Sequence, residues 1–166
     1  MKKLIPLLLL ALLTACGGDA RPGGASTPAP GVETPYPFIY KGHTIAVGQK
    51  AAPSIEALGE PRDLFESPSC AFDGVDRIYY YSGFELYTWP EGDEDYIASL
   101  SLTDDSVSTS SGVCLGMTLE DVISAYGEDY ENAQGMYIYR TGKASLSFLV
   151  ADGEVAAIMY GYDNIG

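Results

Sequence analysis

Two glycine pairs recur along this chain with the same spacing. Val47-Gly48 opens a stretch that runs to Ala57-Leu58 and then Gly59-Glu60-Pro61; Leu115-Gly116 opens one that runs to Ala125-Tyr126 and then Gly127-Glu128-Asp129. Gly48 and Gly59 are 11 residues apart, as are Gly116 and Gly127, and the two pairs are offset by 68. A duplicated supersecondary unit is the economical explanation, and two such units are expected to share a core.

The second copy reads clearly as a helix. Thr118 stands where an N-cap belongs with Asp121 three residues on, Met117 and Val122 occupy the two positions of a hydrophobic staple, and Gly127 can take the left-handed position at the C-terminus. Leu119, Val122, Ile123 and Tyr126 fall on one face, which is a core stripe. In the first copy Pro53 is tolerated only in a first helical turn, so a short helix is predicted from about Ala52 to Leu58.

Strand-like segments follow each helix. Arg77 to Tyr81, Phe84 to Trp89 and Tyr96 to Leu102 follow the first; Met136 to Arg140, Ala144 to Val150 and Val155 to Tyr162 follow the second. All are rich in aromatic or β-branched residues, with Ser82-Gly83, Thr141-Gly142 and Asp152-Gly153 as turns between them. The expected fold class is α+β: two tandem units of a helix plus a three-stranded antiparallel meander, the sheet packed against the helices. The first unit is assigned to residues 38–111 and the second to 112–166. Alternation places Phe84, Leu86, Leu100 and Leu102 on a core face, with Leu146, Phe148, Val150, Ile158 and Tyr160 as counterparts.

Gly116-Met117-Thr118-Leu119-Glu120-Asp121-Val122 with Gly127, followed by three strands, resembles the repeated unit of β-lactamase inhibitory protein-like domains. It also resembles the small lipoprotein of the outer-membrane β-barrel assembly machinery (the SmpA/OmlA type). The resemblance covers about Gly42 to Tyr162. It implies an α+β domain whose sheet presents a surface to a protein partner. The first unit departs from the pattern, with Gln49-Lys50-Ala51 where the second has Met117-Thr118-Leu119, and no inhibitor contact residue carries over.

The N-terminus carries an address. Met1-Lys2-Lys3 is basic, Leu4 to Leu13 is apolar, and Leu13-Thr14-Ala15-Cys16 is a small-residue cleavage site ending in cysteine. About ten apolar residues are too few to span a bilayer, so residues 1–15 read as a secretory signal. The four residues resemble the lipobox of bacterial lipoproteins, which implies lipidation of Cys16, cleavage before it and attachment to the membrane by acyl chains, with palmitate among them. Residues 16–37 are rich in Gly, Pro, Ser, Thr and Ala and cannot bury a core. As a partly extended tether, about twenty residues at ~3 Å each reach up to about 60 Å from the lipid headgroups. The expected location is the cell envelope, outside the cytoplasm.

Charge narrows the partners. The 166 residues include 9 basic and 23 acidic ones, a net charge of −14. Loss of Lys2 and Lys3 with the signal leaves seven basic residues and a net charge of −16. So negative a chain is unsuited to nucleic acid or anionic headgroups and open to a basic protein or to cations. Beyond Cys16 two cysteines remain, and outside the cytoplasm an even remainder predicts a Cys70–Cys114 disulfide, which would stabilise the fold by roughly 3–4 kcal/mol.

Catalytic chemistry is poorly represented. His43 is the only histidine, no Gly-x-Ser-x-Gly elbow is present, and neither a phosphate-cradling glycine loop nor zinc-spaced Cys and His residues occur. No enzyme, cofactor or metal is expected. The acidic run Glu91-Gly92-Asp93-Glu94-Asp95, with Asp104 and Asp105, lacks EF-hand spacing and reads as a solvated turn, which leaves a cation-binding structural lipoprotein as the alternative and a hydrolase behind it. If Phe84 and Leu86 face the helices, Glu85, Tyr87 and Trp89 face away from them, near Tyr79 and Tyr81. These three residues are the expected protein-binding face, with Trp89 as an exposed anchor.

Overall fold

A computed structural model describes residues 35–164. The expected signal, Cys16 and tether residues 16–34 lie outside the described residues. In chain order the elements are β1 (Phe38–Tyr40), β2 (His43–Ile45), α1 (Ala51–Leu58), β3 (Asp63–Pro68), β4 (Val75–Tyr80), β5 (Phe84–Glu91), β6 (Glu94–Leu102), α2 (Leu119–Tyr126), β7 (Glu131–Ala133), β8 (Met136–Thr141), β9 (Ala144–Ala151) and β10 (Glu154–Tyr162). Among the described residues no helix is long and apolar enough to cross a membrane.

This overturns the expected α+β pair of helix-plus-three-strand units. The protein is mostly β: β1 and β2 form a small hairpin, and the other eight strands form one antiparallel sheet in the order β3-β4-β5-β6-β10-β9-β8-β7. Four strands follow each helix. Within the large sheet the unpredicted strands are its two edges, β3 and β7, neither of which carries the apolar alternation of a half-buried strand; β1 is unpredicted as well. β7 is a Glu-Asn-Ala segment exposed throughout; it pairs because Gln134 and Gly135 both have positive φ, as a two-residue hairpin turn requires.

The halves merge because their apolar rows meet. Phe84 is opposite Leu102 and Leu86 opposite Leu100, Leu102 and Leu100 are opposite Ile158 and Tyr160, and these face Phe148 and Leu146. Two apolar rows thus cross β5, β6, β10 and β9, and all eight side chains are buried. Splitting the sheet between β6 and β10 would expose both rows, at about 1.5–3 kcal/mol for each large side chain returned to water. Val150, expected in the same set, is half-buried and packs against the same cluster.

One face of the sheet is covered by α1, α2 and the β1–β2 hairpin. Ala51 and Val122 are fully buried there, with Leu58, Leu119, Ala125 and Tyr126 packed against the same cluster. The α2 N-terminus is held by a reciprocal capping box: Thr118 Oγ1 accepts from Asp121 N–H and Asp121 accepts from Thr118 N–H. The Thr118 hydrogen bonds hold the Asp121 carboxyl below its ordinary value. α1 has no side-chain cap and is tied down through Gly48 and Gln49, which exchange backbone hydrogen bonds with Ile97. Gly116 and Met117 make the same pair of bonds with Val155. Tyr81 and Tyr139 each donate a hydroxyl hydrogen bond to the carbonyl of the glycine ending a helix, Gly59 and Gly127. Gly48 has φ +78° and the Tyr162 ring lies against the side where a Cβ would project, so no other residue fits there without strain.

Candidate functional site

The second face of the sheet is covered by no element among the described residues. Registers across the strands define what it carries, because side chains directly opposite one another share a face. Phe65 is opposite Ile78, Ile78 opposite Tyr87 and Tyr87 opposite Ser99. The row continues through Gly161 and Ser145 to Arg140. A neighbouring row runs from Asp63 through Tyr80, Glu85, Ser101, Met159 and Ser147 to Ile138. None of these residues is buried. Apart from Met159 on β10, small residues therefore occupy the middle strands and larger ones the flanks. Phe65 is 52% exposed and Met159 42%, large values for side chains with an apolar body.

At the β3 end the same face holds a shallow depression of about 410 Å³ lined by Arg62, Asp63, Tyr80, Tyr81 and Glu85. Tyr87 Oη donates to Glu85 Oε2 over 2.5 Å. That hydrogen bond, together with partial burial and the Glu85 charge, pushes the Tyr87 phenol up to about 12. Burial pushes the Tyr139 phenol to about 12 as well. A phenol that holds its proton more tightly when folded contributes stability in full below its ordinary value of 10 and loses it as pH rises toward 12. Urea midpoints are therefore expected to fall across this window, and Tyr87→Phe to flatten the fall by its share. An unchanged slope in that variant would show that the Tyr87–Glu85 bond is not formed in solution.

Two expectations about this region are corrected. Glu85 and Tyr87 do lie on the open face, half-exposed, but Trp89 is 5% exposed. Its ring stacks on Tyr96 at 5.4 Å and on Tyr162 at 5.8 Å, nearly parallel to the latter. A bulge between Tyr87 and Thr88 interrupts the register just before it, and Tyr162 arrives from the last strand to cover it. Trp89 is a packing residue. The open apolar residues of this face, Phe65, Ile78 and Met159, carry no local signal: β3 has no apolar alternation, and Ile78 and Met159 stand beside the core residues Tyr79, Ile158 and Tyr160.

The expected Cys70–Cys114 disulfide is also corrected, since both are free thiols. Cys70 is exposed in the β3–β4 turn, whose Gly74 lies against Pro90 near the end of β5, opposite Asp95 at the start of β6. Cys114 precedes Gly116, which bonds to Val155 beyond the far end of the β6–β10 ladder. The length of β6, about 30 Å at ~3.3 Å per residue, separates the two regions, whereas a disulfide needs Cα atoms within about 7 Å.

The remaining candidates are scattered. His43 is exposed in β2, opposite Tyr40. The acidic run is the β5–β6 hairpin, and two of its carboxylates are engaged: Glu94 with Lys50 at 2.9 Å and Asp95 with Arg77 at 2.5 Å. Among the described residues no three His, Cys, Asp or Glu side chains are grouped to hold a metal ion.

No protein-family model matches this chain, and no curated protein does. Among solved structures it is similar to an extracellular protein containing an SCP domain from Bacillus anthracis, at 12% identity and a TM-score of 0.42, over 70% of this chain and 44% of that one. It is also similar to a DUF4309 family protein from Bacillus subtilis, at 17% identity and a TM-score of 0.41, over 70% of this chain and 80% of that one. This chain thus spans less than half the length of the first. Neither is described as a β-lactamase inhibitory protein-like or assembly lipoprotein.

Proposed function

We propose that this chain is a lipid-anchored, extracytoplasmic, non-enzymatic protein that holds a protein partner on the open face of its sheet. The observation that carries the partner reading is that face itself: exposed Phe65 and Met159 and half-buried Ile78 and Tyr87 lie on one side of an eight-stranded sheet, and no helix or strand among the described residues lies over them. Aromatic and large aliphatic side chains held by paired strands offer contact area with little further entropy to lose. The anchoring reading rests on Leu13-Thr14-Ala15-Cys16, which lies outside the described residues.

Each part has its own test. Cys16→Ala is expected to abolish palmitate labelling and release the protein from the membrane fraction or leave its signal uncleaved; unchanged labelling overturns the anchor. A photo-crosslinking amino acid at position 78 is expected to capture a protein in intact envelopes, whereas the same group at Glu56, exposed on the helical side, captures none. Equal capture at both positions, or none at 78, overturns the partner face.

A further inference from the structure

Resting on the partner-face reading, we infer that the β3–β5 end of the open face accepts a cationic protein segment that docks by its side chains and adds no strand to the sheet edge. The row Phe65–Ile78–Tyr87 is flanked on one side by Asp63 and Glu85, and on the other by Asp76, which lies next to Ile78 at the following outward position of β4. Three carboxylates thus border a short apolar strip, with Arg62 the one basic residue lining the adjoining depression. A segment whose apolar side chains cover the strip brings its Lys or Arg residues against these carboxylates, and the charge of the whole chain steers it there.

The charge also decides between occupants. A second copy would set one chain of net charge −14 against another, and paired carboxylates across an interface repel. The tether has one basic residue, Arg21, against Asp19 and Glu33, so it offers these carboxylates no cationic surplus. A basic partner satisfies both the apolar strip and its border.

Docking by strand addition is opposed by the way the β3 edge is finished. Leu64 N–H donates to the carboxylate of Asp63 at 2.8 Å, so this group points out of the ladder and is already satisfied. Backbone groups in a strand alternate in direction, which places position 68 on the same outward side as 64 and 66. Position 68 is a proline and has no N–H to offer. Of these three outward sites only Glu66 retains a free donor, which is how edge strands avoid pairing with other chains. Recognition through backbone hydrogen bonds, the usual mode of strand addition, is left with one of its three donors here.

The test uses the full-length protein and three fluorescein-labelled heptapeptides: one alternating Lys with Leu and Trp, one with Glu in place of Lys, and one with the Lys peptide's alternate backbone amides N-methylated. Anisotropy is expected to show binding of the Lys peptide that weakens at least tenfold in Phe65→Ser and in the double variant Asp63→Asn with Asp76→Asn. Met159→Ser, on the other half of the face, is expected to leave it unchanged. The N-methylated peptide is expected to bind within about twofold. Equal binding of the Glu peptide, no effect of Phe65→Ser, or loss of binding on N-methylation each overturns the inference. If position 78 still captures an envelope protein when the Lys peptide fails to bind, the cationic chemistry falls and the partner face stands; if neither occurs, both fall.

Discussion

Phe84→Ala is expected to cost about 3–5 kcal/mol of folding stability, the range for truncating a fully buried phenylalanine. Phe84 is 0% exposed and is the hub that attaches the N-terminal hairpin to the large sheet. Its ring meets Phe38 edge-on at 5.0 Å, Tyr40 edge-on at 4.9 Å and Tyr81 in a stack at 5.1 Å. Removing it leaves a cavity beneath β1, an element of three residues whose only sheet partner among the described residues is β2, so collapse around the gap cannot restore the lost contacts. A domain of about 130 residues has only some 5–15 kcal/mol in total, and this single change consumes a large part of it. Urea unfolding of parent and variant measures the difference. A loss below about 1 kcal/mol would mean that the hairpin does not pack on Phe84.

Trp89→Ala is expected to cost about 3 kcal/mol for a related reason, and Trp89→Phe less than about 1.5 kcal/mol, because a ring retained in the stack keeps most of the burial. The residue joins the beginning of the fold to its end: Tyr162, its stacking partner in the last strand, also lies against Gly48 before α1. As the only tryptophan it reports on itself, and its emission is expected to shift to the red when Tyr162→Ala opens the stack. If Trp89→Ala unfolds at the parent's urea concentration while losing capture of the partner, Trp89 is a contact residue after all and the packing assignment fails.

What could be read from residues alone was whatever is encoded locally. Thr118, Asp121 and Gly127 specify the start and stop of α2 because a capping box and a left-handed terminus are built within four residues of where they act. The alternation of Phe84 and Leu86, and of Leu146 and Phe148, identifies the buried side of strands whose other side meets water. The expected N-terminal signal and the Leu13-Thr14-Ala15-Cys16 motif are likewise local patterns, legible without any fold.

What required the tertiary structure was every property that depends on a distant neighbour. That the two halves share one sheet follows from Leu100 meeting Tyr160 and Leu102 meeting Ile158, pairings between segments more than fifty residues apart. β3 is a strand because β4 supplies its hydrogen bonds, since its own side chains are almost all exposed and carry no burial pattern. Cys70 and Cys114 stay apart because a strand length intervenes, and Trp89 is hidden because Tyr162 arrives in parallel with it. Periodicity tells a side chain which face of its own strand it occupies. Whether another part of the chain covers that face is a matter of long-range packing, and here it covers the tryptophan and leaves Phe65 and Met159 in the open.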